Sequence, residues 1–192
     1  MKQSLTSILQ YADDQKGWIP KFNTPSNLQH CRLWSEVLMN GGWMNRKPMG
    51  NVVAALGHPA WYNPDNRCPL EYKPTTGNLS NNISFGMISV NNGTTGQAHN
   101  LHLSKIKQSS QFAIIGDSII TGTKEQRYCI VPAWTSNFMT RHNGKGNLGF
   151  IDGHVTGVRR DEIHEYADIC GDDNSDPYSR NALKPEYVIT NY

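Results

Sequence analysis

Long apolar runs are missing from this sequence. In 192 residues the longest is Val52–Leu56, and crossing a bilayer takes about twenty residues, so no membrane-spanning pattern is visible. No apolar h-region follows Met1-Lys2-Gln3-Ser4-Leu5, so no signal peptide is visible. The four cysteines, Cys31, Cys68, Cys129 and Cys170, form no Cys-x-x-Cys pair, which argues against a zinc ribbon or a thioredoxin-type site. Charge is nearly balanced, with 18 basic and 16 acidic residues. Without a basic stripe, no nucleic-acid partner is expected. No glycine-rich loop links a strand to a helix, which leaves no phosphate cradle. Internal repeats and low-complexity tracts are absent too.

What is present is enough apolar material, 37% of residues, for one core. Leu5, Ile8, Leu9 and Ala12 form one stripe of a helix over residues 1–14, with Gly17 as a left-handed cap. That helix starts almost at Met1 without an N-cap, as if cut in mid-course. A second helix is expected from about Pro25 to Asn40, with Leu28, Cys31, Trp34, Val37 and Leu38 inward and Gly41-Gly42 at its end. Residues 43–80 hold five prolines and read as a loop-rich excursion. The β region spans 82–158, with strands expected at Ile83–Val90, Phe112–Ile115 and Tyr128–Val131. A hairpin joins Asn147–Ile151 to His154–Val158 through a two-residue Asp152-Gly153 turn. Residues 159–192 form a C-terminal extension, with a short helix near 161–169. The expected class is α+β, with the N-terminal amphipathic helix packed on an antiparallel sheet.

Five groups of residues carry candidate chemistry. Gly116-Asp117-Ser118 with Asp161-x-x-His164 matches the blocks of SGNH hydrolases, in which Ser118 would attack, His164 act as base and Asp161 orient it. The serine block comes too late in the chain and too close to the histidine for that fold. The plainer alternative is a strand ending in a turn held by Asp117 and Ser118. His142, Asp152 and His154 would converge on a metal only if the hairpin brought them together, and the plainer alternative has both histidines bonding Asp152. Asp172, Asp173 and Asp176 offer oxygens to calcium but lack EF-hand spacing, and a solvated acidic loop suffices. The four cysteines suit either buried thiols or two disulfides, one of three pairings being Cys31–Cys68 with Cys129–Cys170. Trp43, Trp61 and Tyr62 suggest a binding surface for glycan or protein; loop aromatics more often fill their own loop's core.

One segment carries a specific signature: Arg141-His142-Asn143-Gly144-Lys145-Gly146-Asn147-Leu148-Gly149-Phe150-Ile151-Asp152-Gly153-His154-Val155, a histidine, nine residues, then Asp-Gly-His. It resembles the C-terminal region of a bacterial prepilin-type family related to type IV pilins and type II secretion pseudopilins. Tyr11–Pro20, Cys68-Pro69, Ser84–Met87 and Leu103–Ile106 followed by Phe112–Ser118 resemble other blocks of that family in the same order, over most of residues 1–165. The resemblance implies a pilin-like fold. Leu5, Ile8 and Leu9 would bury against Phe85, Ile114, Phe150 and Val155. It also implies a non-catalytic structural subunit with no cofactor, and the Gly-Asp-Ser block would not be a nucleophile. Partners would be other pilin-like subunits and the secretion or pilus machinery. Family members open with a basic leader and an apolar half-helix. Such a half-helix upstream of Met1 would anchor the chain in the inner membrane, and location would be periplasmic or at the cell surface.

Overall fold

The computed structural model describes residues 1–20, 34–44, 47–48, 61–62, 85–88, 101–106, 108–122, 126–127, 129–130, 136–163 and 188–190. Helix α1 runs Lys2–Asp14 without a side-chain N-cap, and buries Leu5, Ile8 and Ala12 along the expected stripe. It ends as the sequence indicates: the Gly17 N–H donates to the Ala12 carbonyl at 2.7 Å, with Gly17 at φ +92°. The chain then pairs back with residues 101–103, the Ile19 N–H donating to Leu101 and the Leu103 N–H to Gly17. Helix α2 spans Trp34–Gly41 and buries Trp34, Leu38 and Met39. Its expected start near Pro25 lies outside the described residues.

Ten strands follow among the described residues: β1 Lys47–Pro48, β2 Trp61–Tyr62, β3 Gly86–Ile88, β4 Ala113–Gly116, β5 Ser118–Ile120, β6 Cys129–Ile130, β7 Ser136–Met139, β8 Lys145–Phe150, β9 Val155–Arg159 and β10 Val188–Ile189. Strands β1 and β2 pair with each other within the loop-rich excursion. The main sheet has the order β6-β3-β4-β8-β9, and a smaller one the order β10-β7-β5. The class is α+β. The expected purely antiparallel sheet needs correction, because β3–β6 and β7–β10 run parallel. Each of these pairs is joined by a connection long enough to cross over, which parallel pairing requires.

The main sheet is covered on both faces. On one face α1 and α2 pack through Leu5, Ile8, Ala12, Trp34 and Leu38 onto Phe85, Met87, Ile114, Ile115 and Cys129, with Val155 at the margin. On the other, Ala113, Ile130, Leu148, Phe150 and Val158 meet Phe138 and Val188 of the small sheet, with Ile163. Each large apolar side chain buried this way contributes about 1.5–3 kcal/mol. Phe150 therefore lies on the face opposite to the one expected. Side chains alternate along β8, and Gly149 is the residue turned toward the helix, where a Cβ would stand 3.3 Å from Leu5 Cδ2. Phe112–Ile115 can serve both faces because the β4–β8 register shifts between Ala113 and Ile115. That bulge lets Ile114 and Ile115 both face the helices while Ala113 faces away.

The predicted hairpin is present as β8–β9, in register from Lys145↔Arg159 to Gly149↔Val155. Its loop has three residues, not two. The Phe150 N–H donates to the His154 carbonyl, and the Gly153 N–H to the Phe150 carbonyl at 2.9 Å, with Gly153 at φ +91°. A tight turn followed by one left-handed residue is the usual form of this loop length. Asp161 and Glu162 lie in a turn and Ile163 is buried after it, and residues 164–169 of the expected helix fall outside the described residues.

Candidate functional site

Strands β4 and β5 are one stretch of chain interrupted at Asp117, where it leaves the main sheet and enters the small one. Asp117 is fully buried. Its N–H donates to the Asn147 carbonyl on β8, and its own carbonyl accepts from the Met139 N–H on β7, both at 3.0 Å. Its carboxylate Oδ2 accepts from the Asn147 N–H at 2.8 Å and from Asn147 Nδ2 at 3.0 Å. His142 Nε2 stands 3.2 Å from the same oxygen. Oδ1 is buried without a hydrogen-bond partner. Arg141 Nη2 donates to the Ser118 carbonyl at 2.6 Å, which holds its guanidinium near the carboxyl. Burial pushes the Asp117 carboxyl above its ordinary range, against the Asn147 amide and the charges of His142 and Arg141.

His142 reaches this corner because Asn143 and Gly144 turn the chain back between β7 and β8. Both have positive φ, +53° and +75°, and His142 and Lys145 exchange two main-chain hydrogen bonds across them. Asn-Gly in this conformation is a strong two-residue turn signal.

The other half of the signature sits elsewhere. Asp152 Oδ1 accepts from the His154 N–H at 3.1 Å and lies 2.5 Å from His154 Nδ1. The His154 ring stacks on Phe150 at 4.2 Å. Desolvation acts upward on the Asp152 carboxyl, but the His154 hydrogen bonds and charge outweigh it and the net shift is downward. The six residues of β8 separate the two histidine sites, a span of about 20 Å at strand rise. His142 thus pairs with Asp117 and His154 with Asp152, so the three do not share a metal site, and only His154 bonds Asp152. Among the described residues no group of three or more His, Cys, Asp or Glu is placed to hold a metal ion.

Ser118 is fully buried. Its hydroxyl donates to the Arg127 carbonyl and accepts from the Arg127 N–H. The chain does not turn after Gly116 but passes into a second sheet, and Asp117 and Ser118 bond distant backbone, not local. Asp161 is exposed, and His164 lies outside the described residues. So do the calcium candidates Asp172, Asp173 and Asp176, and cysteines Cys31, Cys68 and Cys170. Cys129 is buried on β6, beneath the helices. Trp43 packs edge-on against Tyr11 at 5.0 Å and donates Nε1 to Asp14 at 2.6 Å, so it fills its own corner of the fold.

The expectations named the Gly-Asp-Ser block and the histidine signature separately and missed that Asp117 and His142 meet. Asn143-Gly144 is the signal that could have brought them together, since it folds the chain back beside residue 142. Among the described residues no helix is long and apolar enough to cross a membrane. No protein-family model, curated protein or solved structure matches the chain.

Proposed function

We propose that this protein is a structural subunit of a type IV pilus-like or type II secretion pseudopilus-like assembly, with a pilin-like fold and no catalytic role. The observation that carries the reading is α1. Its apolar stripe is seated on the sheet through Leu5, Ile8 and Ala12, while Lys2, Gln3, Thr6 and Gln10 remain exposed on the other side. A helix half covered by its own sheet offers its remaining face to neighbouring subunits. The ordered motifs ending in Asp152-Gly153-His154 support the same reading. So does the place of both parts of that signature in the fold: His142 stands against the buried Asp117 carboxylate, and Asp152 closes a loop. On this reading the partners are copies or relatives of the chain together with their assembly machinery. The inner membrane would be reached through a helix continuing upstream of α1. The location would be the periplasm or the cell surface.

The test is photo-cross-linking in the native cell, with benzoylphenylalanine placed at Gln3 or Gln10. A ladder of multimers in the envelope fraction is expected from both positions. Monomer alone, or protein recovered only from the cytosol, would overturn the reading.

A further inference from the structure

A buried carboxylate at the junction of two sheets is costly unless its charge is met. Asp117 has no exposure, and one of its oxygens, Oδ1, accepts nothing. The other, Oδ2, gathers the Asn147 donors and His142 Nε2. The His142 side chain keeps 28% of its surface in solvent, so a proton can reach the pair from outside. The charged groups acting on Asp117 are His142 and Arg141. Lys145, in the same turn, is exposed, and Arg127 lies beyond Ser118, bonded to its hydroxyl through the main chain. Strands β7, β8 and β10 bring no further titratable side chain to the corner: Asn137, Phe138, Met139, Asn147, Val188 and Ile189 are neutral.

We propose that Asp117, with His142 against it, forms a proton-operated tie between the two sheets, the buried carboxyl taking up a proton on acidification. Before uptake, a carboxylate with one unpartnered oxygen sits buried in the corner. After uptake, the corner holds a neutral acid, and the buried charge is gone. The tie fastens the place where the chain changes sheets, because Asp117 bonds β7 and β8 through its main chain and β8 again through its carboxylate.

The sign follows from linkage. A carboxyl held above its unfolded value binds its proton more tightly in the folded state. Its stabilisation is complete below the unfolded value and is lost as pH rises through the folded one. Urea unfolding between pH 8 and pH 5 tests this with the wild type, Asp117→Asn and His142→Gln. Measured against Asp117→Asn, the wild-type folding constant should rise on acidification by up to about tenfold per pH unit. His142→Gln should displace the pH at which the rise occurs. The Asp117 ¹³Cγ resonance of the wild-type protein should titrate above the ordinary carboxylate value of about 3.9, a readout that survives if a variant fails to fold. Any of three results overturns the proposal: the same pH slope in Asp117→Asn, a His142→Gln profile superimposed on the wild type, or ordinary titration of Cγ.

Discussion

Asp152 and Gly153 hold the same three-residue loop by different means. Gly153 supplies a left-handed backbone at φ +91°, and a side chain there costs about 1–2 kcal/mol. Asp152 faces the His154 N–H and ring Nδ1, and removing it loses these exposed contacts, together about 0.5–1.5 kcal/mol. In urea unfolding at pH 7, Gly153→Ala should therefore be the more destabilised of the two. The Asp152 carboxyl lies below its ordinary range in the folded protein. Its contribution is present above the unfolded carboxylate value and is lost as pH falls through the folded one, so the difference between Asp152→Ala and wild type should shrink at acid pH. The Asp-Gly turn was legible because its chemistry is local. Asp117 was not, since Gly-Asp-Ser has the composition of a surface turn, and only the meeting of two sheets buries it.

At the level of elements, α1 was legible to its last turn because its period and its terminal glycine agree. Its seat on the sheet was only partly so. Phe85, Ile114 and Val155 were placed on the correct face and Phe150 was not, because alternation along β8 can be counted from either end and the strand's own glycine marks the helix side. A Cβ at Gly149 would stand 2.7 Å from Ile115 Cγ2 as well as against Leu5, whereas one at Gly157 meets nothing nearer than 3.5 Å. Gly149→Val should lift α1 and cost about 1–3 kcal/mol or more, while Gly157→Ala should change stability by less than about 1 kcal/mol. Equal unfolding midpoints for the two would show that α1 does not rest there. Strands β5 and β7 escaped the sequence reading. Ser118–Ile120 merges with the strand before it, and Phe138-Met139 is too short an apolar pair to announce a strand. The bulge at Ile114 likewise has no local mark, being a product of two faces that both need filling.

For the whole molecule, the second core depends on its ends meeting. Val188 is buried against the small sheet, and the Ile189 carbonyl accepts from the Thr140 N–H at 3.0 Å, a residue only 3% exposed. Val188→Ala should cost about 1–3 kcal/mol in lost burial and packing. Ending the chain before Val188 should cost more, since the Thr140 N–H then loses its acceptor, worth about another 1–3 kcal/mol. Unchanged unfolding midpoints in both would mean that β10 is undocked in solution. Nothing in a two-residue apolar patch near position 188 told where it would pair, because parallel pairing at long range leaves no periodic trace in sequence.

That pairing has a consequence for synthesis. A nascent chain on the ribosome lacks the strand that completes β7 until residue 188 has been made, so the small sheet stays open on that side throughout elongation. Closure must follow translation of that strand, so the β7 edge that it covers is the last part of the small sheet to find its partner.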